Sequence, residues 1–144
     1  MSVYRAARDA VQAVWSTHWA GPATVPVLWH SNGLETVPDA ADTTHWLHLA
    51  VEFAEERLVA FGGGRLANDR VLRGSVVIRV LAARGTGEDT ALALLSDAVA
   101  VFRSRRVGAL SVLGDAVLPE PGASEDGLWW IRSALAVFEF RFQG

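Results

Sequence analysis

A chain of 144 residues with no cysteine and a formal net charge of −3 has the size of one domain. It can bury roughly 68–70% of the surface its unfolded form would expose, and must do so without disulfides, thiolate chemistry or cysteine-ligated zinc. Its 51% hydrophobic and 20% charged residues exclude intrinsic disorder, and its mild acidity excludes the dominant phosphate-backbone attraction behind nonspecific DNA binding.

Val3, Ala7, Ala10, Val11, Val14, Trp15 and His18 recur at the three- and four-residue spacing of an amphipathic helix, and Gly21-Pro22 stops it. Met1 to Trp19 has no apolar h-region of a signal peptide, so a mature, cytoplasmic protein is expected. Ala10 to Leu34 contains no Asp, Glu, Lys or Arg, yet Gln12, His18, Gly21, Pro22, Pro26 and His30 interrupt it, and no membrane span is expected. Val25 to Trp29 is short and β-prone. Ser31 to Thr44, rich in Asn, Gly, Pro and Asp, reads as an exposed loop.

From Trp46 the period becomes two, with Leu47, Leu49, Val51 and Phe53 alternating against Trp46, His48, Ala50 and Glu52. A second strand spans Arg70 to Ala83, with Val76, Ile78 and Val80 on one face and Ser75, Val77, Arg79 and Leu81 on the other. Between them the glycine-rich stretch Gly62 to Asp69 is long for a hairpin tip, so the two strands are expected to run on as a projecting β-hairpin. Thr86 is the expected cap of a second helix, with Glu88 and Asp89 in the first turn, where the dipole favours acids. That helix carries the stripe Ala91, Leu94, Leu95, Ala98, Val101 and Phe102, and Arg103, Arg105 and Arg106 crowd its end. Leu110 to Leu118 reads as a strand, Pro119 to Gly127 as a turn, and Trp129 to Phe142 as a final strand with Phe138, Phe140 and Phe142 on one face. The expected fold is a single α+β domain in the order α-β-β-β-α-β-β, a mostly antiparallel sheet with two helices packed on one face.

No stretch carries a catalytic or metal signature. His45 and His48 lie three apart on a strand and therefore point to opposite faces, a poor geometry for one ion. Asp39 and Asp42 suit turn and capping roles, and the neighbouring acids Glu55-Glu56, Glu88-Asp89 and Glu125-Asp126 read as solvated surface. Gly85-x-Gly87 stands where a dinucleotide loop would, but the third glycine is missing and Glu88 and Asp89 would repel a phosphate at the helix start. Gly62-Gly63-Gly64 lacks the lysine and hydroxyl residue of a P-loop. No catalytic residue, cofactor or metal is therefore assigned. Six tryptophans, at positions 15, 19, 29, 46, 129 and 130, exceed what a core this size holds easily with every indole N–H satisfied. Trp129-Trp130 is the sharpest case, since one of the pair must face away from the helices. All thirteen basic residues are arginine, a bias that genome composition explains and that also suits protein interfaces.

The alternating strand Leu47 to Phe53, the Gly62-Gly63-Gly64 tip and the run Arg73-Gly74-Ser75-Val76-Val77-Ile78-Arg79-Val80 are followed by Gly85-Thr86-Gly87, a helix with Asp97-Ala98-Val99 and Phe102, and a tryptophan-initiated last strand. This ensemble resembles the tail terminator-like proteins of long-tailed bacteriophages and phage-derived gene transfer agents. The resemblance covers Val3 to Phe142 in layout and Leu47 to Phe102 in residue pattern, and it rests on glycine and hydrophobic spacing alone. It implies an α+β structural virion protein that forms a ring, typically of six subunits, on the head-proximal end of the tail tube. Such a ring ends tube growth and presents the surface that joins the head. The partners it implies are further copies of the chain, the tail tube protein and a neck protein, with DNA only passing through a mildly acidic lumen. By the same resemblance the hairpin from Phe61 to Arg73 would reach a neighbouring ring, through Phe61, Arg65, Leu66, Asn68, Arg70 and Arg73, with Trp129 and Trp130 as further partner-binding candidates.

Two other readings stay open. A stopper on the head side of the neck would share the ring symmetry. A small α+β enzyme or ligand-binding domain would need polar residues on the inner strand faces, where the assigned residues are aliphatic or phenylalanine.

Overall fold

In the computed structural model, which describes residues 2–30, 37–60, 67–117 and 122–144, the first helix, α1, runs Val3–His18. Ser2 caps it, its hydroxyl accepting from the Arg5 amide at 3.3 Å and so satisfying one of the orphan donors of the first turn. The residues buried on it are Ala7, Val11, Val14 and Trp15, four of the positions that set its spacing. The second helix, α2, runs Asp89–Phe102 and buries Ala91, Leu94, Leu95, Ala98, Val99, Val101 and Phe102, the expected stripe plus Val99.

Seven strands form one sheet: β1 (Val27–Trp29), β2 (His45–Ala60), β3 (Asp69–Ala83), β4 (Arg106–Val107), β5 (Leu110–Val117), β6 (Gly122–Ala123) and β7 (Trp129–Gln143). Their spatial order is β1-β2-β3-β7-β5-β4, with β6 beside the start of β7. All pairings are antiparallel except β1 on β2, so the mostly antiparallel sheet with two helices on one face is the fold observed. Leu47 and Leu49 of β2, Val76, Ile78 and Val80 of β3, Leu110 and Val112 of β5, and Ala134, Ala136 and Phe138 of β7 share one core with both helices.

Strand length explains the projecting hairpin. At about 3.3 Å per residue, β2 with 16 residues and β3 with 15 extend roughly 50 Å. The 16 and 14 residues of α1 and α2 rise only about 21–24 Å at 1.5 Å per residue. The helices therefore cover about half of the long strands. Along β2 every residue from Glu52 to Ala60 is exposed except the half-buried Leu58. The projection is broader than a two-stranded ribbon, because β7 pairs with β3 along its whole length, from Asp69 opposite Gln143 to Ala83 opposite Trp129.

Several expectations need correction. Thr86 does not cap α2: the helix starts after Glu88, which makes no side-chain cap bond, while the Thr86 hydroxyl donates to the Ala83 carbonyl at 2.6 Å. Thr86 thus closes the turn out of β3. Gly85 and Gly87 both take left-handed conformations, φ 88° and 79°, and this turn geometry accounts for the two glycines with no phosphate involved. The arginines after α2 do not sit in its last turn. Arg105 instead reaches back, its Nε donating to the Val101 carbonyl at 3.0 Å, and Arg106 enters β4. The stretch expected as a turn before the last strand contains β6, whose Gly122 and Ala123 pair with Ile131 and Trp130.

Candidate assembly surface

The sheet has a second face, and it is not bare. Trp46, Leu81 and Trp129 form a small buried cluster there, with Leu28, Ala40, Ala83 and Ile131 packed around it. Trp46 and Trp129 meet edge to face at 6.0 Å, a favoured aromatic geometry. Trp129 is 2% exposed. Of the adjacent tryptophans it is the one facing away from the helices, and it is core, with no surface to offer a partner.

Trp130 points to the helix side but lies beyond the start of α2, and it is 46% exposed. The Arg84 guanidinium lies 4.9 Å from its ring centroid, within cation–π range. Together with Gly85, Gly87, Glu88, Ala91 and Arg132 it lines a shallow, largely apolar cavity of about 220 Å³, across which Arg132 pairs with Glu88.

At the far end of the sheet, Arg70 and Arg73 point to opposite faces, as strand residues three apart must. On the helix side the Arg70 Nε donates to the Gly144 carbonyl at 3.0 Å and its Nη1 meets Glu56 at 3.2 Å. Tyr4 of α1 donates to the same carboxylate at 3.4 Å and packs on Phe53 at 5.1 Å. On the other face Arg73 lies between Glu139 at 2.8 Å and Glu55 at 3.7 Å, with Arg57 3.9 Å from Glu139. The hydrogen bond to Glu139, and then the charges of Glu139 and Glu55, hold the Arg73 guanidinium above its ordinary pKa. The Asn68 carbonyl accepts from the Gly144 amide at 3.0 Å, tying the chain end to the start of β3. Phe61, Arg65 and Leu66, with the three glycines between them, lie outside the described residues.

The structure therefore brings Arg70 and Arg73 into one projecting sheet end and sets Trp129 and Trp130 at its opposite end. Sequence reasoning missed Glu55 and Glu139 as partners of Arg73, and Arg57 as a second partner of Glu139. Opposite charges on two neighbouring strands were the available signal. The pairing with Glu55 depends on a β-bulge between Phe53 and Glu55, which shifts the β2–β3 register by one residue and so decides which of their side chains face each other.

The histidines behave as expected of strand residues three apart. His45 is buried, its Nδ1 3.1 Å from the Thr44 hydroxyl. His48, on the opposite face, meets the rings of His30 and Trp46. Among the described residues no group of three or more histidines and acids is placed to hold a metal ion. Asp39 serves its loop as a turn former, accepting from the Ala41 amide at 2.9 Å. No helix among the described residues is long and apolar enough to cross a membrane.

No protein-family model matches the chain, and no curated protein sequence is similar to it. Its shape has counterparts among solved structures. One chain whose name states no activity aligns over 94% of this chain and 96% of its own, with a TM-score of 0.61 at 17% identity. At that identity the likeness concerns the fold.

Proposed function

We propose that this protein is a ring-forming structural component of a long-tailed phage or a phage-derived gene transfer agent, the terminator that caps the tail tube, ends its polymerisation and joins tail to head. The observation that carries this reading is the projecting end of the sheet. Beyond Leu49, β2 has a strand on one side only among the described residues, and the exposed stretch from Glu52 to Ala60 has no task within the chain's own core. A long strand edge of this kind is a template for pairing with another chain. The sequence resemblance to tail terminator-like proteins supplies the biological setting: by that family's layout this chain forms a ring of six copies between the tube protein and a neck protein. A chain of net charge −3 would line a lumen through which DNA slides without sticking.

Negative-stain microscopy of particles from a producer strain deleted for this gene tests the reading. Full heads beside unattached tails of irregular length are expected. Emptied heads beside free tails of normal length would move the protein to the stopper position, and unchanged particles would end the assembly reading.

A further inference from the structure

Among the described residues the sheet ends in two open edges of opposite charge. One is β2 beyond Leu49, where the short β1 stops, bearing Glu52, Glu55 and Glu56 against a single Arg57. The other is formed by β4 and by β5 beyond Val112, which no further strand covers among the described residues. Arg103, Arg105 and Arg106 lie along or beside it against a single Asp115. Both edges also expose apolar side chains, Phe53 and Val59 on the first, Val107 and Leu113 on the second.

Charge runs in a row between them. On the face away from the helices, Glu55 pairs across to Arg73, Arg73 to Glu139, Glu139 to Ser111 and Ser111 to Arg106. The row begins with an acid at the β2 edge and ends with a base at the β4 edge. Glu55, Arg73 and Glu139 are joined by ion pairs, whereas Arg106 is exposed and has no ion pair among the described residues.

We infer that copies of this chain join head to tail through these edges, the β4–β5 edge of one copy lying along the free edge of β2 in the next, with Arg106 against Glu55. The inference rests on the ring reading above for its setting and identifies the surfaces that close the ring. Strand direction supports it: β2–β3, β3–β7 and β7–β5 are all antiparallel, so β2 and β5 run in opposite directions. A rotation about an axis along the strands therefore sets β5 of one copy antiparallel to β2 of the next, while the two-residue β4, antiparallel to β5, meets β2 in parallel as β1 does within the chain. The competing contact, two β2 edges related by a two-fold axis, would bring one glutamate-rich edge against another and is opposed by like charge. The charges that guard each edge against indiscriminate pairing thus select the opposite edge as partner.

Because the chain has no cysteine, introduced ones report cleanly. Ala54→Cys, in the β2 bulge, and Val107→Cys, at the β4 edge, are both exposed and leave the charged row intact. The two purified variants, separately and mixed, are treated at high concentration with a short bismaleimide. A one-to-one crosslinked pair is expected in the mixture only, and a ladder ending in a closed species when one chain carries both cysteines. Adding Arg106→Glu should lower the yield several-fold, and an unchanged yield would refute the charge-row contact. Crosslinking of either variant with itself would establish a two-fold contact instead. No crosslinks in any sample would remove the edge contact while leaving the ring reading to the gene-deletion experiment.

Discussion

Gly74 sits inside β3 with the Phe138 ring lying across it, and a Cβ added there would come within 2.7 Å of Phe138 Cζ and closer still to the Glu52 carbonyl oxygen. One neighbour is backbone and the other a fully buried ring, so neither can yield without disturbing the sheet. Gly74→Ala is expected to destabilise by about 1–3 kcal/mol, the usual cost of overpacking a filled core, read as a lower urea midpoint at unchanged slope. His45 acts at the same scale through its proton. Burial lowers its pKa below the ordinary 6.5, so the folded chain keeps it neutral while the unfolded chain takes up a proton as pH falls. The associated stability is fully present above about pH 6.5 and declines below it, until the folded pKa is passed. Urea midpoints at about pH 7.5 and about pH 5.5 should therefore differ, and His45→Leu should flatten the difference. A difference that survives the substitution would assign the dependence to another group.

Among the elements, β7 joins both faces of the molecule. Ala134, Ala136 and Phe138 enter the helix-side core, Trp129 enters the cluster on the other face, and β3 and β5 flank the strand. The adjacent tryptophans at its start consequently differ in weight. Trp129→Ala should cost about 3–5 kcal/mol, a large share of the roughly 5–15 kcal/mol that stabilises a domain. Trp130→Ala, removing a half-exposed ring stacked with Arg84, should cost under about 1 kcal/mol. Equal losses in the two urea titrations would contradict the separation of one buried and one exposed indole. The far end of the hairpin is held by charge, and pairs as exposed as Arg73 with Glu55 contribute little singly. The lattice of Glu55, Arg57, Arg73 and Glu139 spans β2, β3 and β7 where two bulges, after Phe53 and after Leu58, disturb the ladder.

At the scale of the whole molecule, β2, β3 and β7 run from the covered half of the sheet into the projecting half without interruption. Continuous strands couple the two halves, and the chain should unfold in one cooperative step, with tryptophan fluorescence and far-ultraviolet circular dichroism giving coincident transitions. An earlier loss of strand signal than of fluorescence would show that the projecting end melts on its own, since all six tryptophans lie outside residues 50–60 of β2.

Periodicity alone determined the elements that have one apolar face. The helix from Val3 to His18, the stripe of α2, and the alternation along β2, β3 and β7 are local properties, because burial of one face imposes a period of 3.6 or 2 on the sequence itself. The role of Asp39 in its turn and the separation of His45 from His48 followed from the same local geometry. Features that depend on two distant segments meeting were decided only by the tertiary structure. Trp129 became core because Trp46 and Leu81 lie opposite it. Glu139 reached Arg73 through the long unbroken pairing of β3 with β7, and Glu55 reached it through the bulge in β2. Hydrophobic pattern specifies which face of a strand is buried; the partner across the ladder depends on chain closure, which no single segment encodes.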